Sequence, residues 1–162
     1  MAKFTIGDGI DKYISQLTDL EYEGGHIIGM AVYEGAKIVT DAIRAGIGSI
    51  PSQTSIGSGE DKMIRGITTL QREGLYDGLG IARMQKTGSF WNVKVGMDGW
   101  NKIHTFRYSG GQPNAMIARS VESGTYFRQK TPFIAPAVNK TRGAAEQKMA
   151  EIYDREVAKR FK

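Results

Sequence analysis

The residues best suited to chemistry in this chain are two histidines and a few acidic residues, and their spacing fits neither a catalytic nor a metal site. His26 and His104 stand far apart, and neither has a second ligand at a metal-binding spacing. Gly78-Leu79-Gly80 resembles the start of a dinucleotide fingerprint, but it lacks the third glycine and a strand is predicted to follow. Glu60 and Asp61 fall in a segment predicted to be exposed, where carboxylates keep ordinary acidity. We therefore expect no catalytic activity, no cofactor and no metal.

Composition indicates one soluble globular domain, residues 1–162. Any functional side chains would have to be positioned by this domain. The chain is 40% hydrophobic and 24% charged, and it has no cysteine, so neither disulfides nor thiolate metal sites support the fold. No apolar stretch is long enough for a signal peptide or approaches the roughly 20 residues of a membrane span. We expect no contact with a membrane.

Charge is distributed unevenly along the chain. Residues 1–81 carry a formal charge of −4, residues 82–130 carry +6 and residues 131–162 carry +3, which together give the net +5. An acidic front and a basic back would let copies of the chain mate head to tail. A nucleic-acid surface and an ordinary uneven solvated surface are the alternatives. The aromatic and basic residues that a nucleic-acid surface would use are Phe90, Trp91, Lys94, Trp100, Lys102, Phe106, Arg107 and Tyr108.

Helical periodicity predicts two antiparallel helices at the start of the chain. In residues 10–20 the apolar residues recur at spacings of three and four and share one face: Ile10, Tyr13, Ile14, Leu17 and Leu20. Gly24-Gly25 is expected to end this helix. A second helix is predicted over residues 26–45, ended by Gly46, Gly48 and Pro51.

The rest of the chain predicts an α+β fold. A weak helical stretch is predicted over residues 63–79, a β-hairpin over 81–97, a further β-rich piece over 104–108, a short helix over 114–123 and a long final helix over 143–161. The expected architecture is a small antiparallel β-sheet, the hairpin plus one or two further strands, packed against the two N-terminal helices and the long C-terminal helix.

Residues 49–62 are rich in serine, threonine and glycine and have little to bury, which predicts a long flexible loop. Loops of this length are usually functional or disordered, so we expect this one to become ordered on assembly. The residues assigned to this assembly loop are Ser49, Ile50, Pro51, Ile56, Glu60, Asp61 and Lys62.

The most specific pattern lies in residues 114–138. It contains Val-Glu-Ser-Gly-Thr at 121–125 and Pro-Phe-Ile-Ala-Pro-Ala at 132–137. This pair resembles a motif of the phage tail-completion family, the small head-to-tail joining proteins, in which Val-Glu-hydrophobic-Gly-Thr precedes Pro-Phe-hydrophobic-x-Pro-Ala at the start of the last helix. Ser123 departs from the family pattern, which has an aromatic or aliphatic residue there.

The resemblance implies a structural virion protein of the bacteriophage neck, assembled in the host cytoplasm. Such a protein forms a ring, expected to be a hexamer, at the top of the tail, where it meets head connector or adaptor proteins and a tail terminator or tail-tube protein. DNA passes along the ring axis only as cargo. The residues expected at subunit or partner interfaces are Arg119, Glu122, Arg128, Lys130, Pro132, Phe133 and Pro136.

Two alternatives stay open at this point. The first is a tail terminator or another neck protein of related fold. The second is a nucleic-acid-binding protein, which would bind DNA with a steep dependence on salt. Phe133 and Ile134 also have a simpler role available to them, because at least one of the two is expected to pack in the domain core.

Overall fold

Two long helices form the frame of the fold. The computed structural model describes residues 8–58, 62–88 and 90–160. Within these ranges the elements are α1 Asp8–Ser49, β1 Thr54–Ile56, β2 Met63–Arg65, α2 Thr69–Gly78, β3 Leu79–Ile81, β4 Gln85–Thr87, β5 Phe90–Asn92, β6 Val95–Met97, α3 Asn114–Ser123 and α4 Ile134–Arg160. The predicted α+β class is confirmed.

Helices α1 and α4 pack side by side in opposite directions. Gly46, near the end of α1, lies against Phe133, just before the start of α4. Further back along α1, Gly35 lies against Met149. At the far end the Nε of Arg160 donates a hydrogen bond of 2.7 Å to the carboxylate of Glu23. The first and last parts of the chain thus form one antiparallel helix pair.

The prediction of two N-terminal helices is wrong, because α1 continues through Gly24-Gly25 without a break. Glycine costs a helix about 1 kcal/mol relative to alanine, so such a pair usually ends one. Here the missing side chain is used for packing. A Cβ placed at Gly25 would lie 2.7 Å from the indole of Trp91, and one at Gly29 would lie 2.4 Å from the methyl group of Met84. The glycines let the hairpin lie directly on α1.

The hydrophobic core lies where the C-terminal half of α1 meets α2, α3 and the start of α4. Its buried residues are Ile43, Ile47, Ile50, Ile67, Leu75, Leu79, Ile117, Ala118, Val121, Phe133 and Ala137. Arg72 on α2 closes the end of α1, because its guanidinium donates to the carbonyl groups of Ile47 at 2.6 Å and Ile50 at 2.5 Å. A cation at this end also complements the helix dipole.

The predicted hairpin is confirmed, and it contains a bulge. Strands β3 and β6 pair antiparallel, and so do β4 and β5 nearer the turn. Ala82 pairs with Lys94 and Gln85 pairs with Asn92, which leaves two residues, Arg83 and Met84, opposite Val93 alone. Such a bulge bends a hairpin and re-aims its side chains. In this hairpin Met84 lies against α1.

The predicted flexible loop is partly ordered. Its residues 54–56 form β1, which pairs antiparallel with β2 over residues 63–65. Ile50 is a core residue, and the carbonyl of Pro51 accepts the backbone N–H of Ile67 at 3.0 Å. These two residues anchor the segment. Ile50 does so because it directly follows α1, so its apolar side chain reaches the core, and Pro51 does so through its backbone hydrogen bond.

The other residues assigned to the assembly loop have separate positions. Ser49 is the last residue of α1, and its hydroxyl donates to the carbonyl of Gly46 at 2.7 Å. Ile56 is half-buried at the end of β1, and Lys62 is exposed. Glu60 and Asp61 lie outside the described residues. Ordering of the segment on assembly stays a prediction.

Three further boundaries differ from the sequence predictions. The stretch 63–79 divides into β2, α2 and the first residue of β3, with Thr68 and Gln71 forming a capping box at the start of α2. Residues 104–108 form a turn instead of a strand, for the reason given below. Helix α4 begins at Ile134, nine residues before the predicted start at 143, because Glu122 caps it there.

Candidate partner-binding surface

The motif shared by residues 121–125 and 132–137 builds the start of α4. Helix α3 ends at Gly124, whose φ of 74° suits glycine. Two residues earlier, in the last turn of α3, Glu122 points its carboxylate at the α4 N-terminus. There it accepts the backbone N–H groups of Phe133 at 2.7 Å, Ile134 at 2.8 Å and Ala135 at 2.9 Å. Pro136, the next residue, has no N–H. Every N–H group that an α-helix leaves unpaired at this end is therefore accounted for.

The electrostatics of Glu122 follow from this contact. Partial burial raises the pKa of its carboxyl, but the hydrogen bonds from residues 133–135 and the nearby Lys130 outweigh burial and hold the pKa below its ordinary value. The helix dipole favours the same ionised form. Glu122 thus acts within the chain as a helix cap, and both its oxygens are occupied.

A tight turn at residues 125–128 follows α3. Thr125 and Arg128 bridge it, and Ile64 of β2 pairs in parallel with Arg128. The Arg128 guanidinium is buried and donates to the carbonyl of Gly66, and burial lowers the pKa of this group. The turn leaves its two central side chains outside: Tyr126 is 94% exposed, and its ring meets that of Phe127 edge to face at 5.0 Å.

The residues predicted as an interface therefore fall into three groups. Arg128 and Phe133 are buried, and Phe133 is only 3% exposed, so they were wrongly placed at an interface, and Phe133 takes the core role that was its alternative. Glu122 is half-buried and engaged with α4. The members that lie on the surface are Arg119, Lys130, Pro132 and Pro136. For these four the interface role stays a prediction.

A second surface feature is the loop of residues 100–112, named here the aromatic loop. Its base is closed by a bridge between Trp100 and Pro113 and by the Asn101 N–H donating to the Gln112 carbonyl at 2.9 Å. The buried Asn101 side chain holds the interior, because its Oδ1 accepts the N–H groups of Ile103 at 2.9 Å and Gln112 at 3.3 Å. The sequence predicted a strand for residues 104–108, and these bonds instead close the loop on either side of that stretch.

The aromatic loop is fixed to α2. Gln71 donates a side-chain hydrogen bond of 3.1 Å to Gln112. A Cβ placed at Gly74 would lie 2.6 Å from that of Asn101, and one at Gly78 would lie 2.2 Å from the carbonyl oxygen of Asp98. The two glycines, one helical turn apart, bring the loop base onto the helix backbone. The hydrogen bonds of Asn101 inside the aromatic loop and the contacts of the loop base with α2 together hold the loop in place.

The tip of the aromatic loop presents one hydrophobic and one cationic side chain. Thr105 and Tyr108 exchange both backbone hydrogen bonds at 3.0 Å, which leaves Phe106 and Arg107 as a two-residue tip. Phe106 is fully exposed, and the Arg107 guanidinium lies 5.8 Å from the centre of the Tyr108 ring. Aromatic and arginine side chains at rigid, exposed positions are typical anchors of protein interfaces.

In the sequence these aromatic residues were considered together as one candidate nucleic-acid surface. In the structure they lie in different places. Trp91 packs against Gly25 of α1, and Phe90 is exposed on β5. Trp100, 62% exposed, and Phe106 belong to the aromatic loop instead. No local pattern indicated that Asn101 closes the aromatic loop, because that role depends on the burial of its side chain in the folded protein.

A cleft of about 490 Å³ lies between α1, α4 and the hairpin. Most of its lining is apolar, contributed by Met30, Tyr33, Met84 and Ile152. Lys148 and Arg155 also line it, as do His26 and Glu34. The arrangement suits an apolar side chain carried by an acidic segment.

Within the described ranges, no three histidine or acidic side chains lie close enough to hold a metal ion. In the same part of the chain, no helix is both long and apolar enough to cross a membrane. A scan against protein-family models found no matching family, and searches of curated proteins and of solved structures found no matching relative.

Proposed function

We propose that this chain is a structural protein of the bacteriophage neck, of the tail-completion or head-to-tail joining kind. Copies of it form a ring at the top of the tail that joins the head connector and leaves the axis open for DNA. One observation carries the proposal: residues 114–138 combine the family's glutamate and Pro-Phe motifs, and Glu122 caps the helix that Pro132–Ala137 opens. The motif therefore has a physical role in this chain.

The aromatic loop supports an assembly role. Phe106 stands fully in water on a braced turn, and burying such a side chain against a partner gains about 1.5–3 kcal/mol. The loop carries Lys102 and Arg107 and no acidic residue. It suits a protein surface that offers an apolar pocket beside carboxylates, and we assign it to the contact with the connector or the tail.

The test is assembly with the neighbouring virion proteins. Native mass spectrometry would measure the oligomeric state of the purified chain, alone and mixed with the head connector and tail-tube proteins of the same phage. We expect a ring that joins at least one of them. Phe106→Ala should weaken that joining, whereas Phe90→Ala, which removes an exposed aromatic outside the loop, should leave it unchanged. A chain that joins neither protein would refute the proposal.

Two other outcomes point to the alternatives. A ring that caps the tail tube but never meets the connector would identify a tail terminator. Tight binding of the free protein to DNA, falling steeply as salt is raised, would identify a nucleic-acid-binding protein that uses the cations of the aromatic loop.

A further inference from the structure

The N-terminal part of α1 extends past the end of its partner helix. Arg160, in the last described turn of α4, pairs with Glu23. Residues 8–22 of α1, named here the arm, therefore continue beyond that contact for about 22 Å at 1.5 Å per residue. Leu17, within the arm, is 55% exposed.

The arm has the sequence of an acidic amphipathic helix. Its apolar residues recur at helical spacing, as described for residues 10–20, and it contains four acidic residues and one lysine. Such a helix is stabilised chiefly by burying its apolar face. Leu17 leaves part of that face in water.

The cleft between α1, α4 and the hairpin has the opposite character. Met30, Met84 and Ile152 make its lining apolar, and methionine side chains adapt readily to the shape of a bound helix. Lys148 and Arg155 also line it, and each contacts a carboxylate of its own helix, Glu151 at 3.4 Å and Glu156 at 3.2 Å. Ion pairs made by such exposed cations are weak, so both cations can also attract an acidic partner. Among the described residues that line the cleft, the acidic one is Glu34, which already pairs with Lys37 at 2.6 Å.

We propose that the arm of one copy docks in the cleft of the next copy. The pairing places Leu17 on an apolar lining and acidic residues beside cations. A chain cannot fill its own cleft in this way, because the arm and the cleft residue Met30 belong to one continuous helix. The arm that docks in the cleft therefore belongs to a second copy.

This contact rests on the proposed ring and gives it a geometry. Each copy offers an arm at one place and accepts an arm at another, so the interface is heterologous. Such an interface closes into a ring when its rotation closes and otherwise grows into a filament. The acidic arm of one copy then contacts the basic later part of the next copy, in a head-to-tail arrangement.

Cross-linking between copies tests the contact, since the chain has no cysteine of its own. A Leu17→Cys sample is mixed with a Tyr33→Cys sample and treated with a short bismaleimide. We expect a dimer that joins the two variants. The matched control pairs Leu17→Cys with Ala144→Cys, an exposed position on α4, and should give little product. Equal yields from both mixtures would overturn the proposal.

Disruption of the arm provides a second measurement. Leu17→Asp should raise the dissociation constant of the oligomer by about tenfold or more, the effect of losing one buried anchor residue. Ser15→Asn, a neutral change at another exposed position of the arm, should leave it within about twofold. Helix content from circular dichroism shows that both variants fold.

The outcomes separate this contact from the proposed function. A ring that survives Leu17→Asp and joins the connector would reject the arm contact and keep the neck assignment. Arm-to-cleft cross-links in a protein that joins neither neck partner would keep the contact and reject the assignment. A chain that stays monomeric and uncross-linked at high concentration would reject the contact.

Discussion

Glu122 and Phe133 are joined by a hydrogen bond of 2.7 Å from the backbone N–H of Phe133 to the Glu122 carboxylate, across eleven residues of chain. This bond connects the last turn of α3 to the residue before α4. It also holds the Phe133 side chain in the core, where it contacts Gly46 of α1. The motif that resembles the tail-completion family is therefore a folding element first, and any surface that it offers to a partner depends on it.

Replacing Glu122 should destabilise the whole fold. Glu122→Ala leaves three helix N–H groups without their acceptor, and we expect the free energy of unfolding to fall by about 2 kcal/mol. The matched control is Glu146→Ala, which removes an exposed carboxylate that pairs with Arg142 and should change stability by less than about 0.5 kcal/mol. Urea denaturation followed by circular dichroism measures both. Equal effects would contradict the capping role.

The contribution of Glu122 should depend on pH in one direction. Its pKa in the folded protein lies below the ordinary value of 4.5, so the stabilisation is fully present above that value and is lost as pH falls through the lowered pKa. The stability difference between the parent and Glu122→Gln should stay constant near neutral pH and shrink in acid. Urea titrations from pH 7 to strongly acidic pH would show it. A difference that does not change with pH would refute the assignment.

Two glycines of α1 should respond in opposite ways to alanine. A Cβ at Gly46 would lie 2.9 Å from the carbonyl oxygen of Phe133, a backbone atom that cannot move aside, so Gly46→Ala should destabilise by about 1–3 kcal/mol. At Gly24 nothing lies within 4 Å, so Gly24→Ala should stabilise α1 by about 0.5–1 kcal/mol. Thermal unfolding distinguishes them. A stabilising Gly46→Ala would show that α1 and α4 are farther apart than described.

Two phenylalanines should separate folding from assembly. Phe133→Ala removes a buried ring and should cost about 3–5 kcal/mol of unfolding free energy. Phe106→Ala removes an exposed ring and should change stability by less than about 0.5 kcal/mol while weakening partner binding. Denaturation curves and binding measurements on the same samples provide the comparison. A large loss of stability in Phe106→Ala would remove the aromatic loop from the candidate surface.

The sequence predicted the elements whose signals are local. The hairpin has alternating side chains on either side of a glycine turn, and α3 runs between a proline and Gly124, so each could be recognised within a short window. The motif at 121–125 and 132–137 was recognised for the same reason. The role of Glu122 as the cap of α4 was not predicted, because its bond to the α4 backbone joins residues distant in sequence.

The remaining features depend on contacts that no short window contains. Helix α1 continues through Gly24-Gly25, and the missing side chain of Gly25 leaves the space that Trp91 fills. Ile50 leaves the predicted loop because the core lies within its reach. The aromatic loop forms a turn because Asn101 is buried and satisfies two backbone groups. Each of these outcomes was decided by tertiary packing against the local preference.

The pairing of α1 with α4 also governs how the chain is made. The bond between Glu23 and Arg160 spans 137 residues, so α1 leaves the ribosome long before its partner helix exists. At ordinary synthesis rates that interval is about 7–27 s. During it the face of α1 that α4 later covers has no partner and is open to chaperones. The helix pair can therefore form only after α4 has been synthesised, and contacts so distant in sequence make its folding slow.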